Sequence, residues 1–404
     1  MDRRAASPLP PLLVAVFINI AGFSLILPLL PFYGQVFGAA PHEIGLLFAA
    51  YSLGNVFGEI FWGRQSDIWG RRRVLVVTTL IAGLTYFAFA HAPGLWSAVL
   101  IRVVSGFFSG TLGVCTGFIA DVSAPEKRAK TMGYFGAAFS LGFAFGPVLG
   151  GLLAGREVAA ASFHLPIYAA GGLSLLASAW CALVLRDAVE PPGKGRALPR
   201  YSDAIRFVGG DALLLRLFVI GFFGIAAFAS MEAIYGLWSE ANFGWSARDL
   251  GLAFLAIGSG GLLAQLVLIG PLVARFGEAR VIVMGLAVLA LSMLLQPILR
   301  TPVSGVLLMG LLMTGHSLAF PTVGALLSRN TPAQRQGSTM GLLMASNAVG
   351  RIVAPPAFGL IYGHLGHDAP WYWGAVMIGL VSIVAMQTVR IHRQRSAEGI
   401  AATV

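Results

Sequence analysis

The chain has 404 residues, of which 57% are hydrophobic and only 11% are charged, and its formal net charge is +10 at pH 7. A soluble globular domain carries about 25% charged residues, so this composition excludes a water-soluble protein and predicts an integral membrane protein in contact with the lipid bilayer. Cys115 and Cys181 lie in apolar runs and have neither the pattern of a disulfide framework nor a metal-ligand spacing. We therefore expect no metal and no cofactor.

Long apolar segments recur along the whole chain. A membrane-spanning helix needs about 20 residues, and only a helix satisfies its own backbone groups within such a segment. The first segment is too long for the apolar part of a cleavable signal peptide, which has about 7–15 residues. We predict twelve transmembrane helices over residues 11–33, 42–62, 74–92, 95–119, 131–154, 165–185, 212–236, 248–270, 281–298, 303–327, 337–363 and 370–389.

The two halves of the chain repeat one another, which predicts two pseudo-symmetric six-helix bundles. Residues 1–185 form the first bundle, residues 212–404 form the second with its short tail, and residues 186–211 form a linker with a short interfacial helix near Tyr201–Val208. Many secondary transporters are built from such repeats, with the substrate site where the repeats meet. The residues that recur at one constant spacing are Met132, Gly133, Gly142, Pro147 and Gly151, as Met340, Gly341, Gly350, Pro355 and Gly359.

Basic residues concentrate on alternate loops, from Arg3 and Arg4 at the start of the chain onward. The opposite loops hold only Arg156, Arg248 and Arg300. Because Lys and Arg favour the cytoplasmic side, this pattern predicts an inner-membrane protein with both termini in the cytoplasm. The positive net charge is thus a topology signal and does not indicate nucleic-acid binding.

The first two spans each hold one polar candidate. Asn19 lies in span one and is a candidate contact in a substrate cavity. Glu59 lies one turn before Gly63, near the cytoplasmic end of span two, and is a candidate proton carrier. The alternative for Glu59 is a solvated carboxylate at the membrane interface, paired with Arg64.

The segment GRQSDIWGRRR, residues 63–73, joins spans two and three. Gly63 and Gly70 permit a tight turn, and Asp67 can accept hydrogen bonds from a helix N-terminus or pair with an arginine. The plain alternative is a short basic loop that obeys charge topology. A degenerate second copy, GPLVARFGEAR at residues 270–280, keeps both glycines and has Ala274 in place of Asp67.

Residues 63–73 resemble the signature loop of the major facilitator superfamily, with departures at Gln65 and Ile68. The resemblance implies a fold of twelve helices in two bundles that rock about a central cavity. It also implies that Asp67 and Arg71, with Asp121 at the end of span four, gate the transporter by holding the two halves together in one state.

Span four contains RVVSG at residues 102–106. A charged residue within a span is costly unless it faces a cavity or a partner, so Arg102 is a functional candidate. The alternative is that its side chain reaches outward to the membrane interface. The element resembles the R-x-x-x-G motif of proton-coupled drug exporters, which implies a role for Arg102 in proton handling.

Span five contains GFAFGPVLGG at residues 142–151. Small residues at this spacing let two helix backbones approach closely, and Pro147 bends the helix. Pure packing would explain this pattern. Yet Gly142, Gly146, Pro147, Gly150 and Gly151 match every fixed position of the antiporter motif of the superfamily, and that resemblance implies an exporter.

Span one, FINIAGFSLILPLLP at residues 17–31, resembles the first helix of the twelve-span drug:proton antiporter branch, which includes tetracycline exporters. Many members carry an acidic residue where this chain has Asn19, and an asparagine cannot carry a proton. The resemblance covers residues 11–389 and is specific for the branch without being specific for a substrate.

The second half holds the remaining candidates. Glu232 in span seven is a candidate proton carrier, and the alternative is a contact at the outer rim. Arg351 falls near the middle of span eleven and needs a partner or an aqueous cavity; the alternative is a buried structural ion pair. His316 is either a proton carrier or a hydrogen-bonded packing residue. The other cavity candidates are Gln265, Asn347 and the aromatic Tyr235.

Together these features favour a monomeric exporter of amphipathic small molecules that works by alternating access in exchange for protons. No nucleotide-binding P-loop is present, so direct use of ATP is not expected. The nearest alternative is an uncoupled facilitator or an importer of a sugar, an organic acid or a lipid-like solute. A membrane-embedded enzyme lacks a recognisable ligand or nucleophile cluster, and a receptor or scaffold would normally carry a larger soluble part.

Overall fold

The computed structural model describes residues 8–123, 125–155, 158–186, 201–332 and 334–401, and within them every regular element is a helix. The expectations for Arg3, Arg4, Arg156 and most of the linker fall outside these residues. The helices are α1 Leu9–Leu25, α2 Leu30–Val36, α3 Pro41–Trp69, α4 Arg71–Ala90, α5 Leu95–Ser109, α6 Leu112–Val122, α7 Pro125–Leu153, α8 Ala160–Leu183, α9 Tyr201–Gly209, α10 Ala212–Phe243, α11 Ala247–Leu263, α12 Ile269–Phe276, α13 Glu278–Leu295, α14 Pro302–Arg329, α15 Gln336–Leu365 and α16 Ala369–Ala401.

Eleven stretches of the described residues are long and apolar enough to cross a membrane. The predicted all-α membrane fold is confirmed. Helix α15 is not among the eleven, although its 30 residues reach about 45 Å at 1.5 Å per residue. Asn347 and Arg351 lower its hydropathy, so predicted span eleven is a long helix that is more polar than its neighbours.

The described helices separate into two compact units. The first holds the helices between Leu9 and Leu183, and the segment Trp245–Leu255 belongs to it as well; the second holds the rest of the helices from Tyr201 onward. Within the first unit, α1 packs on α7 and α8, and α4 packs on α8 and α5. Within the second, α10 packs on α15 and α16, and α13 packs on α16 and α14. These pairings correspond, as a duplicated sequence predicts.

Predicted spans one, four and eight each contain an irregular turn or a break. Span one changes from α1 to a 3₁₀ turn at Leu27–Leu29 and then to α2, because Pro28 and Pro31 cannot donate a backbone hydrogen bond. Span eight contains a π-helical turn at Ala264–Leu268. The short helix predicted near Tyr201–Val208 is present as α9.

Span four breaks at Gly110 and Thr111, between α5 and α6. At Gly110 the backbone of α3 lies so close that an added Cβ atom would overlap Gly58 and the Glu59 nitrogen. Only glycine allows this approach. The predicted span is present, and it is divided into two helices because apolar composition does not register where another helix intrudes on the backbone.

Candidate functional site

Asp67, Arg71 and Asp121 form one ion-paired cluster in the first unit. The Arg71 Nη2 atom lies 2.6 Å from Asp67 Oδ1, and its Nε atom lies 3.1 Å from Asp121 Oδ2. Arg71 also donates to the hydroxyl of Ser66, which is buried. The single guanidinium therefore joins the end of α3, the start of α4 and the end of α6 within the first unit. The gating role of these residues stays a prediction.

The predicted turn between spans two and three is a single residue. Gly70 has φ of +90° and separates α3, which ends at Trp69, from α4, which begins at Arg71. A residue with a side chain is strained at this φ. Gly63, by contrast, lies inside α3, and a Cβ atom there would meet nothing within 4 Å. The expectation that Gly63 forms the turn was therefore wrong.

The second unit contains a charge-reversed counterpart of this cluster. Glu278 follows Gly277, whose φ is +78°, at the position that Arg71 occupies in the first copy. The Glu278 Oε1 atom lies 3.2 Å from the Nε atom of Arg329, which stands where the repeat places Asp121. The glycines and Ala274 alone did not predict this ion pair. Its signal is the residue-by-residue correspondence of the two copies, which pairs Glu278 with Arg71 and Arg329 with Asp121.

Arg102 is buried, with 2% of its surface exposed. Its Nε atom donates to the Leu47 carbonyl oxygen at 3.2 Å, and its guanidinium lies 4.5 Å from the ring centroid of Tyr51 and 5.9 Å from that of Phe89. A cation over aromatic faces is attracted by the ring quadrupole. The alternative in which Arg102 reaches outward to an interface is wrong, because the guanidinium points into the unit.

Glu59 binds the N-terminus of α6. Its two carboxylate oxygens accept from the backbone nitrogens of Leu112 at 2.9 Å and Gly113 at 2.8 Å. A negative charge at a helix N-terminus satisfies free N–H groups and complements the helix dipole. The expected alternative, a pair with Arg64, is not formed. Glu59 instead joins α3 to the break in span four.

Replacing Glu59 with Ala should remove the link between α3 and the N-terminus of α6. Loss of an N-terminal cap costs about 1 kcal/mol, so we expect the Leu112 and Gly113 amides to exchange their hydrogens several-fold faster. Hydrogen exchange of the purified protein measures this. Glu43→Ala is the matched control, because Glu43 accepts from the Ala40 nitrogen at 2.8 Å and caps only its own helix. Equal exchange at Leu112 in both variants would contradict the role of Glu59.

The glycines of span five bring α7 against α1. A Cβ atom at Gly142 would lie 2.7 Å from the Phe17 carbonyl oxygen, and one at Gly146 would lie 2.7 Å from the Leu25 nitrogen. A Cβ atom at Gly150 would overlap the Leu25 carbonyl oxygen. Real Cβ atoms essentially never come within 3.0 Å of such atoms. The close approach predicted from the small residues is therefore present along three turns.

The end of this motif meets the segment Trp245–Leu255 of the first unit. Gly151 packs against Gly251, and a Cβ atom at Gly251 would lie 2.8 Å from the carbonyl oxygen of Pro147. Pro147 lies inside α7. The buried hydroxyl of Ser24 donates to the Gly142 carbonyl oxygen at 3.1 Å, across the contact between α1 and α7. Nothing in the sequence pattern singled out Ser24 or Gly251.

The second unit contains a cavity of about 460 Å³. It lies among α10, α14 and α15, and its walls are mostly apolar. Asn347 is the polar side chain in the wall, and its Oδ1 atom is buried without a hydrogen-bond partner. The placement of Asn347 fits the expected cavity role. The lining residues are Gly221, Phe320, Pro321, Val323, Gly324, Ala325, Met340, Leu343, Met344 and Asn347.

His316 lies directly behind this wall. Its ring stacks between Phe228 and Phe320, with centroid distances of 4.0 Å and 4.3 Å. The His316 Nε2 atom is buried and has no hydrogen-bond partner, so the alternative of a hydrogen-bonded packing histidine fails for that atom. Arg351, one turn after Asn347 on α15, is close enough to His316 for the two to interact electrostatically. The rings of Phe228, His316 and Phe320 form one stacked cluster behind the wall.

The other candidates lie elsewhere. Tyr235 has no exposed surface and packs on Trp238 and Trp371, so the expectation that it lines a cavity was wrong. Glu232 lies in α10 between the buried Met231 and Ala233 and is itself partly exposed. Gln265 is exposed in the π-helical turn, and Asn19 is partly exposed on α1. No group of three or more potential metal ligands occurs among the described residues.

Comparison with known proteins places this architecture. The sequence model of the Major Facilitator Superfamily matches residues 12–240 and 217–399. The tetracycline resistance protein, class G, of Vibrio anguillarum is 31% identical over 90% of this chain and 93% of its own length. The quinolone resistance protein NorA of Staphylococcus aureus is 27% identical over 95% of this chain and 96% of its own length. A mutant of the nucleoside transporter NupG superposes with a TM-score of 0.79 at 15% identity, over 94% of this chain and 99% of its own. At this identity the likeness shows the fold alone.

Proposed function

The chain belongs to the major facilitator superfamily, and from that premise we propose that it exports amphipathic, drug-like molecules across the inner membrane in exchange for protons. Members of this superfamily are secondary transporters whose repeats alternate access to a central site. The chain is then a transporter and not an enzyme. Separate observations support the direction of transport, the class of substrate and the coupling to protons.

The observation that carries the proposal is the glycine-packed contact between α1 and α7. It coincides with the motif at residues 142–151, which resembles that of antiporters at every fixed position. The similarity to two proteins named for resistance to tetracycline and to quinolones supports export of antibiotics or compounds like them.

The cavity of the second unit supports an amphipathic substrate. Small-molecule sites have volumes of about 300–1,000 Å³, mostly apolar walls and a few polar groups that fix orientation. A volume of about 460 Å³, walls of phenylalanine, methionine and leucine, and the Asn347 amide fit this description. Methionine side chains adapt to ligands of different shape, which suits a transporter with several substrates.

Proton coupling requires a carboxylate that changes its charge during the cycle. We assign this role to Glu232 or Glu59, with Arg102 as the fixed cation that handles the proton in the first unit. Protonation of Glu59 removes the negative charge from the N-terminus of α6 and weakens the join between α3 and span four. Such a proton shifts the balance of two states only by its differential affinity for them.

The Lys and Arg distribution supports a topology with both termini in the cytoplasm. In this arrangement residues 1–185 and 212–404 are the two moving halves and residues 186–211 are the connecting linker. The cluster of Asp67, Arg71 and Asp121 then lies at the cytoplasmic end, where it gates access. We propose that a monomer is sufficient, because each half supplies its own packed core.

A susceptibility panel tests export directly. An efflux-deficient bacterial host that expresses the protein should tolerate at least one amphipathic antibiotic at fourfold or higher concentration than the same host with an empty vector. Cells should also accumulate less of that compound, and a protonophore should abolish the difference. Unchanged or greater accumulation of every compound would contradict export. A difference that survives the protonophore would favour an uncoupled facilitator, which Asn19 in place of an acid would permit.

A further inference from the structure

We propose that the cavity of the second unit selects substrates that carry an anionic group, and that Arg351 binds that group. This inference rests on the proposed function and names its substrate class as amphipathic carboxylates. Three features of the molecule support it: the position of Arg351, its charge balance and the apolar wall beside it.

Arg351 lies one helical turn beyond Asn347, the last lining residue on α15. It follows Asn347 by four residues on α15, and residues four apart lie on the same helix face. Asn347 lines the cavity, and the His316 ring with which Arg351 interacts stacks on Phe320, another lining residue. The helix spacing and the electrostatic interaction with His316 therefore place Arg351 beside the part of the wall that Asn347 and Phe320 form.

The charge of Arg351 is not balanced by a neighbouring carboxylate. Among the described residues, its guanidinium forms no ion pair within 4 Å, whereas Arg71, Arg300 and Arg329 do. The expected alternative of a structural ion pair is therefore wrong. Arg351 is the sixteenth of 30 residues in α15, so its charge lies near the middle of a membrane helix. A cation there is costly without an anion or water.

A carboxylate group of the ligand would balance the charge of Arg351. Arginine presents paired N–H donors that match the two oxygens of a carboxylate. Asn347, the polar side chain of the wall, supplies an amide that can hydrogen-bond another polar atom of the same ligand. The apolar body would then lie against Phe320, Met340 and Leu343. The cavity thus recognises a molecule with an apolar, preferably aromatic, part and one anionic end.

Binding of a matched pair of probes tests this inference. The probes are 1-pyrenebutyrate and its methyl ester, which share the apolar body and differ in charge. The purified full-length protein is placed in lipid nanodiscs, empty nanodiscs serve as blanks, and binding is followed by energy transfer from tryptophan to pyrene. We expect the carboxylate to bind at least tenfold more tightly than the ester.

Three variants assign the preference to the residue. Arg351→Gln should bring the two affinities to within about twofold of each other, and Arg351→Lys should keep part of the preference. Arg216→Gln is the matched control, because Arg216 is a partly exposed arginine of the same unit that donates to Gln387 and to the Ala212 carbonyl oxygen. It should leave the preference unchanged. Thermal unfolding verifies that each variant is folded.

The outcomes separate this inference from the proposed function. Equal affinity of the wild-type protein for the two probes, or a preference that survives in folded Arg351→Gln, would overturn the role of Arg351 even if the host tolerates antibiotics. Conversely, an Arg351-dependent preference without any effect on drug accumulation would keep the anion site and contradict export. Should Arg351→Gln fail to fold, the wild-type and Arg351→Lys affinities for the two probes decide the matter.

Discussion

Adding one methyl group at Gly146 is expected to prevent correct assembly of the first unit. A Cβ atom there would overlap the Ser24 hydroxyl and the Ala21 carbonyl oxygen and would lie 2.7 Å from the Leu25 nitrogen. Overpacking a tight contact costs about 1–3 kcal/mol, and more when the obstacle is backbone. Because α1 and α7 meet here along three turns, we expect Gly146→Ala to lose most folded protein and all export.

The same helix offers matched controls. A Cβ atom at Gly133 or Gly136 would meet nothing within 4 Å. Alanine is a better helix former than glycine by about 1 kcal/mol, so Gly136→Ala should be neutral or slightly stabilising. Thermal unfolding and the monodisperse fraction after purification measure both effects. Ser24→Ala should not rescue Gly146→Ala, because the backbone of α1 remains in place. Similar behaviour of Gly146→Ala and Gly136→Ala would contradict the packing account.

A second large effect is expected at the ion-paired cluster of the first unit. Arg71→Glu places a third carboxylate between Asp67 and Asp121, where only an arginine now joins three helix ends. Like charges at this distance repel, and the bonds to a half-buried guanidinium are lost. We expect a loss of about 2 kcal/mol of unfolding free energy, since hydrogen bonds to charged groups contribute about 1.5–3 kcal/mol each and partial exposure reduces this.

The second unit supplies the design for a rescue. Ala274, Glu278 and Arg329 occupy the positions of Asp67, Arg71 and Asp121 with the charges reversed. The triple variant Asp67→Ala, Arg71→Glu, Asp121→Arg reproduces that order in the first unit. We expect it to regain the thermal stability that Arg71→Glu loses, because an ion pair again joins α4 to α6.

Transport separates stability from gating in this triple variant. If Asp67 gates the transporter, as we propose, the rescued protein is folded and still exports less than a tenth of what the wild type exports. Drug accumulation in the efflux-deficient host measures this. Normal export by the triple variant would contradict the gating role of Asp67, and failure to regain stability would contradict the equivalence of the two clusters.

Much of the fold follows from composition and repetition. Apolar length located the spans, and the recurrence of Gly142 as Gly350 predicted matching halves because duplicated helices keep their packing partners. The glycines of span five were also readable, since small residues at helical spacing have few uses other than close approach. These features are local or periodic, so a single sequence contains them.

What the sequence did not reveal depends on contacts between distant residues. Glu59 was a candidate proton carrier, with a solvated carboxylate paired with Arg64 as the alternative. Its partners are two backbone nitrogens that a break in another helix exposes. Tyr235 resembled a cavity residue and is enclosed by Trp238 and Trp371, because α10 packs against α16 at that point. Neither outcome follows from periodicity, which reports a helix face without its neighbour.

The central claim is that substrate leaves as protons enter, and transport in liposomes tests it most directly. Purified protein is reconstituted into liposomes that are acidic inside, and uptake of the compound identified by the susceptibility panel is followed against protein-free liposomes. We predict that the compound accumulates above the level in protein-free liposomes. This excess should disappear when an ionophore collapses the pH gradient. Equal uptake with and without the gradient would contradict it.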